Sequence, residues 1–249
     1  MLAITSFLAC GPEINYRPHP DREKMNHLHL TSFATERDLR LAIIETGRIC
    51  YASGLMLSNN GNISARLGND RIVITPSLLC KGRLEPDDLL IVGMDGNVIK
   101  ADPARKRELS PETQMHLEVY RQRPELRAVI HAHPSNAIAL SVAGIPFPVD
   151  VLAEVLEGLG PVPTTNFALS GSIDNADAIR EHIQNHNAIL IRNHGAVTFG
   201  SDLEEALNHL ERLESVAKVV VTAHLLGKIN HLPDEMMSVL REQYLKPRS

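Results

Sequence analysis

His131-Ala132-His133 places two imidazoles at a spacing that suits one job well. Residues two apart in a strand project to one face, so both rings can reach a single metal ion. Pro134 stops the strand beside them, where sites commonly open. His194 adds a third imidazole. It follows the apolar run Ala188–Arg192 and precedes Gly195, whose missing side chain permits a tight turn or a close backbone approach. Three neutral nitrogens are the donor set common in catalytic zinc sites. Glu112 supplies a fourth group, a carboxylate in the first turn of a helix opened by Ser110-Pro111. His116, one turn further on, is the rival ligand. It ranks below Glu112 because a residue that deep in a helix more often packs against a sheet. Taken singly, each feature has a plain structural explanation: a chance HxH, a His-Gly corner, an acid offsetting the helix dipole. Together they describe a site for one divalent cation. Zinc fits such donors best, and manganese, cobalt or iron are tolerated. A cation held by three neutral histidines keeps its charge and polarises a carbonyl oxygen as a bond beside it breaks, while a nearby carboxylate moves the proton.

Several elements must hold these groups in place. Thr35 and Asp38 are capping candidates for a helix with Leu39, Ile43, Thr46, Ile49 and Cys50 at helical spacing, ending near Gly54. A β-rich stretch follows: Ile63–Leu67, Arg71–Thr75, Leu89–Gly93 and Val98-Ile99, joined by short Asn/Asp/Gly turns that imply antiparallel neighbours. The helix from Ser110 runs to about Gln122, and Leu126–His133, Ala188–Arg192 and Ala196–Phe199 read as further strands. Ser201-Asp202-Leu203-Glu204 reads as a capping box opening a long helix, with Leu203, Leu207, Leu210, Leu213, Ala217 and Val220 along its buried face. The expected fold class is α/β: a three-layer α/β/α domain around a mixed, largely antiparallel sheet. Residues 1–33 are expected to form an irregular N-terminal extension, and 34–249 a single catalytic domain.

Bulk properties narrow the functional classes. A net charge of −5 over 249 residues argues against a dedicated nucleic-acid binder and leaves no polybasic membrane patch. No run approaches the roughly 20 apolar residues that span a bilayer. The apolar start MLAITSFLAC lacks the cationic flank of a signal peptide, and Cys10, Cys50 and Cys80 form no pairable framework. These features predict a cytoplasmic protein with a small-molecule substrate.

Five segments in order and spacing, GNISAR at 61–66, ITPS at 74–77, SPETQMH at 110–116, VIHAHP at 129–134 and RNHGAVTFG at 192–200, resemble the class II aldolase/adducin family over about residues 36–226. The resemblance implies that His131, His133 and His194 bind zinc. It makes Glu112 the acid that ligates the resting metal and acts as catalytic base when substrate displaces it. It places Gly61, Asn62, Ser64, Ser77 and Ser110 around a substrate phosphate. It also implies a homotetramer with sites between subunits.

Three departures bear on the reaction. Leu78 stands where aldolase-like members have glycine, and Pro111 replaces a second serine; Lys81 or Arg83 can compensate as a cation for a phosphate or a carboxylate. Aldolase members also carry a proton-donating tyrosine shortly after the segment matching Ile145-Pro146; here Asp150 is nearest, and Tyr244 lies in the tail. The leading expectation is a lyase that cleaves a ketose 1-phosphate to dihydroxyacetone phosphate and an aldehyde through a metal-stabilised enediolate. The alternative is a metal-dependent decarboxylase of the same superfamily. A sugar-phosphate 4-epimerase ranks lower, since that branch carries aspartate at the position of Glu112. Retention of all four ligands sets the chain apart from the adducin-like scaffold heads.

Overall fold

The computed structural model describes residues 35–167 and 174–245, so the 1–33 extension lies outside the described residues. Seven strands form one sheet: β1 Asn62–Arg66, β2 Arg71–Ile74, β3 Leu90–Gly93, β4 Val98–Lys100, β5 Ala128–Ala132, β6 Ala188–Ile191 and β7 Gly195–Gly200. Their order is β4-β3-β2-β1-β5-β7-β6, and every neighbouring pair is antiparallel. A parallel contact between Thr164 and Leu190 lies outside the named strands.

Helices cover both faces, giving the expected three layers. On one face α1 (Glu36–Ala52), α3 (Ser135–Val142), α4 (Ala153–Gly158) and α6 (Leu203–Leu226) share a core with Ile63, Ala65, Ile130 and Ala132. On the other, α2 (Thr113–Gln122) and α5 (Asp174–Arg180) pack on Ile72, Ile74, Val129, Val197 and Phe199. A last helix, α7 (Asp234–Leu245), lies against α4 through Leu156, Met237 and Leu240. All six apolar residues expected along α6 are buried. Each such leucine contributes about 1.5–3 kcal/mol by leaving water. Among the described residues no helix is long and apolar enough to cross a membrane.

β1 matters most for the site. Pleating sends Ile63 and Ala65 into the α1/α6 core, and Asn62, Ser64 and Arg66 toward α2. Three polar side chains are thus buried under one helix and need partners there. Arg66 donates to the carbonyls of Tyr120 and Leu126, and its guanidinium lies 4.8 Å from the centre of the Tyr120 ring.

Two helix starts differ from expectation. Thr35 caps α1 as expected, receiving the Asp38 N–H at 3.2 Å. At α6, however, the N-cap is Asp202 rather than Ser201: its carboxylate accepts the Glu205 N–H at 2.7 Å, and Glu205 reaches back to the Ser201 N–H. Placing the cap there lets Leu203 enter the core in the first turn. α2 begins at Thr113, because the Ser110 carbonyl accepts both the N–H and the hydroxyl of Thr113 and closes a tight turn first. α3 has no local side-chain cap. The Glu214 carboxylate of α6 instead accepts the N–H groups of Asn136 and Ala137 at 3.0–3.1 Å, fixing the chain just after His133-Pro134.

Candidate metal centre and cleft

His131 lies within β5, opposite Asn62 on one side and Val197 on the other. Its Nδ1–H donates to the Ala196 carbonyl at 2.9 Å, which leaves the Nε2 lone pair free to face the site. His133 sits one residue beyond the strand, held by its N–H to the Leu55 carbonyl. His194 occupies the turn from β6 to β7, after Asn193 at φ +55°. Gly195 then carries β7 so close beneath the site that a Cβ would stand 2.5 Å from the Ala132 carbonyl oxygen and 2.9 Å from the His133 ring. Glycine is required there by that approach.

The three rings form a propeller, with centroids 4.9–5.0 Å apart and planes inclined by 67–75°. Nε2 of His131 lies 3.2 Å from Nε2 of His133. Glu112 Oε1 lies 3.4 Å from Nε2 of His131 and 3.3 Å from Nε2 of His194. A tetrahedron with ligands about 2.0–2.1 Å from its centre has edges of about 3.3–3.4 Å. A carboxylate oxygen facing a bare imidazole lone pair is repulsive unless positive charge lies between them. The donor set therefore fits a divalent cation, held by His131, His133, His194 and Glu112.

Electrostatics agree with that use. Burial alone would raise the Glu112 pKa, but His131, His194 and the Asn62 amide hold its carboxyl well below the usual carboxylate range. Burial, then like charge from His131 and His194, pulls His133 down to about 3, so the ring is neutral as a ligand must be.

Beside these groups opens a cleft of about 220 Å³. Gly61, Asn62, Ser77 and Ser110 line it, as does Lys81, together with Glu112, His133 and His194. Ser64 does not. It is fully buried one pleat deeper, its hydroxyl 2.7 Å from His116 Nδ1 and 2.9 Å from the Tyr120 hydroxyl, so the phosphate-binding expectation for Ser64 is corrected. His116 is no metal ligand either, since its Nε2 faces Asn62 Oδ1. Arg83 is exposed and stands outside the cleft lining. Lys81 is only 2% exposed, and its ammonium donates to the carbonyls of Asn59 and Leu79 at 2.9 and 2.8 Å. Burial lowers its pKa to about 8.

Leu78 and Pro111 stand on the rim, Leu78 at φ +59° and 71% exposed. Asp150 is hydrogen-bonded to His231 Nδ1 at 2.9 Å and does not line the cleft. The side chain of Tyr244 lies outside the described residues, and among the described side chains no tyrosine lines the cleft. Sequence reasoning missed the buried partnership of Asn62, Ser64, His116 and Tyr120. Its one local signal was the four-residue step from His116 to Tyr120, which puts both on one helix face.

The chain is similar to several known proteins. Over 197 residues the chain is 31% identical to 3-oxo-tetronate 4-phosphate decarboxylase from Haemophilus influenzae, covering 77% of this chain and 90% of that protein. It is 33% identical over 204 residues to methylthioribulose-1-phosphate dehydratase from Methylococcus capsulatus, covering 76% and 97%. The crystal structure of L-fuculose-1-phosphate aldolase from Thermus thermophilus superposes with a TM-score of 0.65 at 31% identity, covering 76% of this chain and 95% of that one. Those relatives are lyases that differ in the bond they break. The family model of the class II aldolase and adducin N-terminal domain matches residues 41–221, so the chain belongs to the class II aldolase and adducin family.

Proposed function

We propose that this protein is a metal-dependent lyase that cleaves a ketose 1-phosphate to dihydroxyacetone phosphate and an aldehyde. The observation that carries the reading is the convergence of three histidine nitrogens and the Glu112 carboxylate at 3.2–3.4 Å, beside a cleft that holds Ser77, Ser110 and Lys81. A divalent cation in that set, zinc by the donor chemistry, supplies a Lewis acid for the substrate's carbonyl oxygen. The chain's own groups do the rest. Gly61, Asn62, Ser77 and Ser110 offer N–H and hydroxyl donors to the phosphate, with Lys81 adding a buried cation. In the cleavage direction Glu112 accepts the proton of the hydroxyl beyond the scissile bond. The bonding pair moves onto the carbonyl unit, and Glu112 delivers that same proton to the carbon that lost its partner. Asn62, which donates to Glu112 Oε2 at 2.7 Å, keeps that carboxylate at the cleft.

Decarboxylation is the second reading, supported by Lys81 and by the lack of a tyrosine among the described cleft residues to protonate an aldehyde oxygen. It uses the same electron sink, with Lys81 holding an anionic substrate group. Under either reading the working form is a cytoplasmic homotetramer. Exposed Leu225, Leu226, Met236 and Val239 on α6 and α7 support assembly, which sedimentation equilibrium measures directly.

The test incubates metal-replete and chelated protein with ketose 1-phosphates and with phosphorylated 3-oxo sugar acids. Dihydroxyacetone phosphate and carbon dioxide are followed separately. Metal-dependent dihydroxyacetone phosphate supports the aldolase reading. Carbon dioxide alone moves the protein to decarboxylation, and metal-independent turnover overturns both.

A further inference from the structure

Beside Glu112, four side chains form a continuous buried column that starts at Asn62 on the cleft and runs away from it. Asn62 and Ser64 project from one face of β1; His116 and Tyr120 stand one and two turns beyond Glu112 on α2. Strand steps of two and helix steps of four interdigitate there. All four residues are at most 3% exposed, so no bulk water competes for their polar atoms.

Donor and acceptor chemistry gives the column a direction. Glu112 is a carboxylate and only accepts, so Asn62 must present its NH2 to Oε2 at 2.7 Å. The opposite end of that amide, Oδ1, also only accepts, so His116 must carry its proton on Nε2 to donate there. Burial and the neighbouring His131 pull the His116 pKa to about 3, leaving the ring neutral with a single N–H. Nδ1 is then bare, and the Ser64 hydroxyl donates to it at 2.7 Å. The Tyr120 hydroxyl completes the column, its single proton shared between Ser64 Oγ (2.9 Å) and the Ser64 backbone carbonyl (3.0 Å). Flipping the Asn62 amide would set its carbonyl against the Glu112 carboxylate, and moving the His116 proton to Nδ1 would set a bare Nε2 against Asn62 Oδ1.

We infer that Tyr120, Ser64 and His116 form a one-way hydrogen-bond relay that locks the Asn62 amide with its NH2 toward Glu112. His116 is thereby a positioning residue for the metal-binding carboxylate. This rests on the metal reading proposed above. Ser64, expected at the substrate surface, and His116, the rival ligand ranked below Glu112, work as the layer that orients it.

Zinc affinity of the full-length protein, measured by chelator competition, tests the relay without any substrate. His116→Met removes the donor at similar volume and is expected to weaken zinc binding about 10–100-fold, the usual effect of losing an outer-shell partner. His116→Gln restores an N–H toward Asn62 and is expected to stay within about 3-fold of wild type. On an Asn62→Ala background, His116→Met should have almost no further effect, because its influence runs through that amide. Equal losses for Met and Gln, or a full loss persisting without Asn62, would mean His116 only fills space and overturns the relay. Should His116→Met not fold, Ser64→Ala takes its place, with a several-fold loss that Asn62→Ala again abolishes; a loss that persists overturns the relay. Wild-type protein that binds no zinc, or Glu112→Gln with unchanged affinity, overturns the metal reading itself and is read separately from the His116 pair.

Discussion

The cleft has two walls built on different principles. One is made of side chains: His133, just past β5, and His194, at the head of β7, backed by the buried His131 of β5, with rings braced by the Ala196 carbonyl and by Gly195. The other is made largely of backbone, in the loops around Asn59–Gly61 and Ser77–Lys81. There Ser58 and Leu78 adopt positive φ, and the Lys81 ammonium ties the two loops through the carbonyls of Asn59 and Leu79. The first wall rests on a sheet whose register cannot slip without turning every ring to the other face. The second can change residue by residue while the fold persists.

The sharpest break of the comparison is His131→Ala. Loss of a ligand should lower zinc affinity by more than about 100-fold, beyond the usual outer-shell effect, and abolish turnover. Metal analysis of the dialysed protein checks this; full metal content would remove the histidine wall from the metal site.

Gly195→Ala tests whether that wall depends on close packing. Its Cβ would collide with the Ala132 carbonyl and the His133 ring. A loss of about 1–3 kcal/mol is expected, lowering Tm by several degrees along with metal retention. An unchanged melting curve would show that β7 has room to move.

Lys81→Met addresses the opposite wall. One charge-assisted hydrogen bond to an anionic substrate is worth about 1.5–3 kcal/mol, so KM should rise about 10–150-fold while zinc content stays at the wild-type level. The pH dependence carries the same sign: with a pKa lowered to about 8 by burial, Lys81 loses its charge as pH rises past that point. Wild-type KM should therefore climb above about pH 8, and that climb should vanish in the variant. A KM rising equally in both proteins would assign anion binding elsewhere.

The smallest effect is expected from Leu78→Gly. Leucine at φ +59° is strained by about 1–2 kcal/mol, its side chain is largely exposed, and glycine gives back part of the gain through a freer unfolded chain. A net stabilisation of about 0.5–1 kcal/mol should raise Tm slightly. A clear fall in Tm would mean that Leu78 packs on something that holds the rim.

Much of this was legible along the chain, because periodicity and turn chemistry act locally. Alternation marked β1, the three- and four-residue spacing of Leu203, Leu207, Leu210 and Leu213 marked α6, and the HxH spacing put two rings on one face of a strand. Glu112 and His194, 82 positions apart, joined them only as candidates, through residue type and family resemblance. What local pattern could not supply was depth. Ser64 and Ser77 read alike in sequence, yet pleating sends one beneath α2 and leaves the other at the cleft. Lys81 and Arg83 are equal cations two residues apart, and only packing buried the first against two carbonyls. Likewise α3 is capped by Glu214, some 78 residues away, where no local signal exists. Residue types and their spacing determined which groups were available for metal chemistry. The tertiary structure decided which of them face the cleft and which stand behind it, because burial and hydrogen-bond partnership depend on neighbours brought from distant parts of the chain.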